Sequence, residues 1–289
     1  IATPSFLGKQ NILNLLRQSS IIGIISAGMT FVIISGNFDI SVGAVAALAG
    51  AITMKFATGG TNLFASMFLG VAICAVIGLI NGIVVAKINV PSLIATMAMV
   101  TIVRGLLLML TGGYPITENI PILDYIGNGY LFNIPIPVVI FFIVVLASFI
   151  VLNKTKFGRY VYSVGGNQEA SKLNGINVDS HKVKVFIINA VLAGIAGIVL
   201  TGRLGTATAI AGEGYDMDAI ASVVIGGTSV AGGSGSVLKT VIGVLLMSVI
   251  NNSFNLLGID VYFQYIFKGL IILAAVGFDS YSKKKLASR

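Results

Sequence analysis

Phe64-Ala-Ser-Met-Phe-Leu-Gly-Val-Ala-Ile-Cys-Ala-Val-Ile-Gly-Leu-Ile-Asn-Gly-Ile-Val-Val-Ala86 contains no charged side chain and no alternation of polar with apolar positions. Roughly 20 consecutive apolar residues are what a helix needs to cross the hydrocarbon core of a bilayer. In lipid the backbone must satisfy its own hydrogen bonds, so only helices and closed barrels can cross it. An unbroken apolar run, rather than a period of two, selects the helix. Outward from this stretch, similar runs recur at about 19–36, 40–57, 92–111, 136–152, 185–203, 219–233, 237–257 and 261–278. The fold class expected is therefore all-α: a polytopic integral membrane helix bundle with nine spans.

Composition agrees. The 289 residues are 56% hydrophobic and 10% charged, with a mean hydropathy of +0.99. A soluble domain carries about 25% charged residues, so lipid is the solvent that suits this chain. The net charge of +8 does not signal nucleic acid, because the basic residues segregate by segment. Residues 153–184 carry Lys154, Lys156, Arg159, Lys172, Lys182 and Lys184 against Glu169 and Asp179. The tail Asp279–Arg289 carries Lys283, Lys284, Lys285 and Arg289. Segments 112–134 and 204–218 contain no Lys or Arg. By the positive-inside rule the first two are expected in the cytoplasm and the last two outside. Alternation then puts residues 1–17 outside. The chain opens on Ile1 rather than Met, and ten helices are expected in the full chain.

Enzyme signatures are missing. Gly233-Ser-Gly-Ser-Val-Leu-Lys239-Thr240 only superficially resembles a phosphate-binding loop, since Leu238 stands where glycine is needed. H-E-x-x-H, C-x-x-C and G-x-S-x-G patterns are absent. The single cysteine, Cys74, lies in an apolar run and the single histidine, His181, in a basic polar loop, so no disulfide or thiolate metal site can form within one copy. We expect no catalytic residue, no metal and no cofactor, and energy for active transport must come from another chain or an ion gradient.

Two sets of residues carry candidate function. In the 153–184 loop, Asn167 is placed as an N-cap, Glu169 lies in the first turn and Gly175 is placed as a C′ residue, defining a short helix at about 168–174. Ala170, Leu173 and Ile176 give it an apolar side suited to a partner's groove, or to lying on the membrane surface. The second set is intramembrane. A charge at the centre of a spanning helix costs about 2.5–3.5 kcal/mol, so Asp39, Arg104 and Lys268 should face protein or water, with Asp39 and Arg104 expected near each other. Asn81, Asn251, Asn252, Asn255 and Gln264 should also find partners, either as helix-to-helix ties or as contacts to a solute. Asp39, Ser41, Arg104, Asn251, Asn252, Asn255 and Gln264 are the candidates for a translocation path or gate. Gly36, Gly43, Gly226, Gly227, Gly232 and Gly233 are expected to break two helices, which is tolerated beside a cavity or packed protein. Ala193, Gly194 and Gly197 read as close-packing positions.

These segments resemble, in order, those of the ribose-type sugar permeases of bacterial ABC importers. Asp39-Ile-Ser-Val-Gly43 is similar to that family's D-L-S-V-G motif. The loop Gly158–Val178 resembles its coupling loop, Ala211–Gly233 its glycine-rich signature, and Asn251-Asn-Ser-Phe-Asn-Leu-Leu-Gly258 its N-N-x-x-N-L-L-G segment. The likeness covers nearly the whole chain. Asn37-Phe38 stands where the family usually has Gly-Ile, and Ser234-Gly235 where it usually has Gly-Lys. The resemblance implies one permease domain over 1–289 in the bacterial inner (plasma) membrane, conducting a sugar or sugar-like solute inward. It implies a second permease copy, a cytoplasmic ABC ATPase docked on 153–184, and an extracytoplasmic sugar-binding protein. An ion-gradient-driven secondary transporter and a structural scaffold are the competing readings.

Overall fold

The computed structural model describes residues 4–287, with side chains from 6 to 278. The basic tail residues Lys283, Lys284, Lys285 and Arg289 lie outside the described side chains. After a 3-10 turn at Pro4–Leu7, the chain forms α1 (Lys9–Ile34), α2 (Val42–Thr58), α3 (Leu63–Ala86), α4 (Ser92–Thr111), α5 (Pro121–Asn128), α6 (Ile136–Lys154), α7 (Lys156–Gly166), α8 (Gln168–Leu173), α9 (Val178–Leu204), α10 (Tyr215–Ile225), α11 (Val237–Leu256) and α12 (Val261–Ala287). Seven of the described helices are long and apolar enough to cross a membrane, and the chain is a helical membrane bundle.

Local chemistry sets the boundaries. The Asn62 side chain accepts from the N–H groups of Phe64 and Ala65 and starts α3. Gly112 and Gly205, both at φ +66°, close α4 and α9 in the left-handed conformation. At one end of the bundle, Ile116–Thr117 pairs with Thr206–Ala207, a minimal ribbon joining the connections that follow α4 and α9.

α9 is the central strut, packed against α1, α2 and α3. Where it meets α2 and α3, small residues bring backbones into contact. A Cβ on Gly197 would lie 1.9 Å from the Ala46 carbonyl oxygen, and one on Gly78 2.6 Å from that of Phe186. Cys74 is buried at this seam, beside Gly194. Lipid tails are as apolar as leucine, so helices in a bilayer associate through such close packing rather than through the hydrophobic effect. α1 is buried from Ser19 to Ile34.

Several features differ from the sequence reading; α9, for one, begins at Val178 rather than near 185. α1 starts at Lys9, because the mixed stretch Asn11–Arg17 is its first turns. Gly43 does not break a helix. It lies inside α2, where a Cβ would meet the Gly212 carbonyl oxygen at 2.2 Å, so its role is close approach. The stretch 219–233 is not one span: α10 ends at Ile225 and residues 226–236 are irregular. Gly226, Gly227, Gly232 and Gly233 do interrupt a helix there, as expected.

Candidate functional site: an unwound junction, a charged cavity and a capped helix

Between α1 and α2 the chain unwinds. Gly36 adopts φ +78°, which L-side chains rarely tolerate, and the turn that follows buries Asp39 at 1% exposure. The carboxylate is fully engaged. Oδ1 accepts from the Ser41 N–H at 2.9 Å and the Ser41 hydroxyl at 2.5 Å, and Oδ2 from Asn189 Nδ2 at 2.9 Å. Asn81 Nδ2 donates to the Ser41 hydroxyl at 3.1 Å. Thus α3 and α9 converge on one buried acidic side chain at a broken helix. Asn189 was not among the sequence candidates. A lone amide in the 185–203 stretch was the available signal.

Arg104 is not beside Asp39 in any hydrogen bond or ion pair among the described residues. Its guanidinium donates instead to the carbonyls of Ala209 and Ala211, the latter at 3.1 Å. Asp39 and Arg104, expected near each other, share no bond: Asp39 is satisfied by hydroxyl and amide donors and Arg104 clamps the loop between α9 and α10, while Ile40, next to Asp39, lines the same cavity as Arg104. That loop, α4 and the start of α2 enclose this cavity of about 550 Å³, lined by Ile40, Thr101, Arg104, Glu213, Asp216 and Tyr265, among others. A second cavity of about 300 Å³ shares Glu213, Met217 and Tyr265 with it and continues past Gln264 and Lys268 on α12. Arg104 and Gln264 were sequence candidates, whereas Thr101, Glu213, Asp216 and Tyr265 were missed. The two acids fell in a segment read as an external loop, with nothing local to show that it folds back over α4.

The remaining amides are spent on other side chains. Asn252 exchanges 2.9 Å hydrogen bonds with Asn11 of α1, and Gln264 donates to Asn255 at 3.1 Å. Asn251 Nδ2 lies 3.4 Å from Asp218 Oδ2, and Lys268 forms an ion pair with Asp218 at 2.9 Å. Asp218 is 4% exposed, so it belongs to the interior of α10 rather than to the outer loop expected from sequence. Lys268 faces protein, as the cost of a lipid-facing charge requires. Asn251, Asn252 and Asn255 thus tie helices together, while Arg104 and Gln264 reach open space.

Against the end of α1 and the 226–236 segment, α7 leads into the short helix α8. The Asn167 side chain accepts from the Ala170 N–H at 2.9 Å, the predicted N-cap. At the other end, the Gly175 N–H bonds to the Lys172 carbonyl and the Ile176 N–H to that of Ser171, both at 3.0 Å, with Gly175 at φ +77°. That pair of bonds is a Schellman closure. Glu169 and Ala170 are exposed, Ile176 is half-buried, and Leu173 projects at 90% exposure. Ser171 is buried and shares a 2.9 Å hydrogen bond with Ser163 of α7. His181 sits half-buried between the rings of Phe157 and Tyr160.

Comparison with known proteins gives the family. The chain is 44% identical to the ribose import permease protein RbsC of Haemophilus influenzae, over 98% of this chain and 89% of the relative. It is 43% identical to RbsC of Bacillus subtilis, over 96% and 87%, and 34% identical to the xylose transport system permease protein XylH of H. influenzae, over 98% and 92%. No solved structure matches the chain. A family model described as "branched-chain amino acid transport system / permease component" matches residues 11–276. The chain belongs to this family of transport permeases and is a multi-pass protein of the bacterial inner membrane.

Proposed function

We propose that this chain is the permease subunit of an ABC importer that conducts a sugar or sugar-like solute into the cytoplasm. The observation that carries the reading is the 43–44% identity, over nearly the full chain, to two ribose import permeases. The family's own description names branched-chain amino acids. The sugar assignment rests on the ribose and xylose relatives, which match far beyond local motifs.

In this account two copies form the path. A cytoplasmic ATPase docks on the 153–184 loop through α8, and an extracytoplasmic binding protein delivers the solute. The cavity chemistry fits a polyhydroxylated, uncharged cargo. Each sugar hydroxyl is both donor and acceptor. Arg104 supplies donors, Glu213 and Asp216 supply acceptors, and Tyr265 supplies a ring face with a hydroxyl. Mixed polarity of this kind lets a solute exchange its water for side chains without being held by one strong charge pair.

Complementation tests the reading. A bacterium lacking its own ribose and xylose permeases should regain growth on one of these sugars when given this chain with its cognate ATPase and binding protein. Growth restored by the chain alone would support a secondary transporter instead. Growth on branched-chain amino acids but on neither sugar would overturn the solute class.

A further inference from the structure

We propose that the glycine-packed junction joining the end of α7, the end of α1 and the 226–236 segment is the rigid link through which a push on α8 reaches the charged cavity. This rests on the importer reading above.

The contact is backbone against backbone. A Cβ on Gly165 would lie 1.7 Å from the Ile34 carbonyl oxygen and 2.8 Å from the Gly233 nitrogen, and one on Gly232 2.9 Å from the Gly36 Cα. The Gly233 N–H donates to the Ile34 carbonyl at 2.8 Å, and the Tyr162 hydroxyl to the Gly235 carbonyl at 3.0 Å. α7 ends at Gly166, and Asn167 caps both α7 and α8. Backbone therefore meets backbone where the end of α7 touches the two interrupted helices. Close-packed interiors pass on displacement rather than absorb it.

From the junction the connection continues into the cavity wall. The Phe38 N–H donates to the Ser92 hydroxyl at 3.1 Å and the Ile40 N–H to that of Thr96 at 3.3 Å. Both hydroxyls sit in the first turns of α4, the helix that carries Arg104, and Ile40 itself lines the cavity. A shift of α8 moves Gly165, hence Ile34 and Gly36, hence the turn that holds both Asp39 and the base of α4. Displacement of α4 draws Arg104 away from the Ala209 and Ala211 carbonyls.

The test uses the complete complex of permease, ATPase and binding protein in proteoliposomes, with ribose as the solute and uptake and ATP hydrolysis measured together. Tyr162→Phe removes one hydrogen bond, and Gly165→Ala forces the junction apart. Gly166→Ala is the control, since its Cβ would meet nothing closer than 3.9 Å. Assembled Tyr162→Phe and Gly165→Ala complexes are expected to carry about threefold or more less ribose per ATP, within the range by which single substitutions change coupling between sites, with Gly166→Ala like the wild type. Wild-type ribose-to-ATP ratios in the assembled variants would overturn the link. Should Gly165→Ala fail to assemble, Tyr162→Phe decides alone. A wild-type complex in which ribose and binding protein fail to stimulate hydrolysis would instead remove the importer reading, and the link with it.

Discussion

Asp39 is a carboxylate buried at a helix break with three donors directed at it. Asp39→Asn replaces one acceptor oxygen by an NH₂, which must then face another donor. An unsatisfied buried polar group costs about 1–3 kcal/mol, so the variant is expected to assemble but melt several degrees lower, as read by thermal denaturation in detergent. An unchanged melting temperature would show that the cluster has no structural weight. Lys268 and Asp218 give a sharper case. Removing one member of a buried pair is destabilising by about 3–5 kcal/mol, because the other charge is stranded. Lys268→Met should therefore be poorly folded, and adding Asp218→Asn should recover most of the loss. A double variant no better than the single one would contradict the pairing. At this scale the sequence showed which residues could not face lipid but not whom they meet. Asp39 with Asn189, and Lys268 with Asp218, are separated by 150 and 50 positions, and only tertiary packing selects these partners.

Among the elements, α8 was the most readable. Its caps are local chemistry, so Asn167 and Gly175 marked its ends to within one residue of the observed Gln168–Leu173. α10 was the least readable. Hydropathy extended it to residue 233, whereas the glycines end it at Ile225 and leave 226–236 to pack against α1 and α7. The proposed docking role of α8 rests on Leu173, which at 90% exposure contributes almost nothing to the fold of its own chain. Leu173→Asp should leave insertion and melting temperature unchanged, while placing an unpaired charge in a desolvated contact. Co-purification with the ATPase is expected to fall at least tenfold. Undiminished co-purification would show that α8 is not the docking element. Sidedness is checked by cysteine labelling in a Cys74→Ala background. Lys172, exposed on α8, is a better probe than the buried Ser171. Lys172→Cys and Asn119→Cys should react with an impermeant thiol reagent from opposite faces of the membrane, and labelling of both from one face would contradict the assigned topology.

For the whole molecule, class and membrane residence were readable because hydropathy is a property of every stretch independently, and each apolar run did contain a helix. The cavity was not readable. It exists because the connection after α9 folds over α4, bringing Arg104, Glu213, Asp216 and Tyr265 to one wall from three separate parts of the chain. Its position beside the unwound α1–α2 turn, against which the end of α7 packs, fits a machine in which a push on α8, the proposed docking helix, opens the path. That account assigns energy to a second protein and solute choice to this one. The most direct test is uptake of radiolabelled ribose into proteoliposomes holding the purified permease, with the binding protein outside and ATP or a non-hydrolysable analogue inside, in the presence and absence of the ATPase. Uptake that requires both the ATPase and hydrolysable ATP, and that persists when ion gradients are collapsed, is the predicted result. Ribose accumulation by the permease alone, abolished by collapsing a proton or sodium gradient, would contradict it.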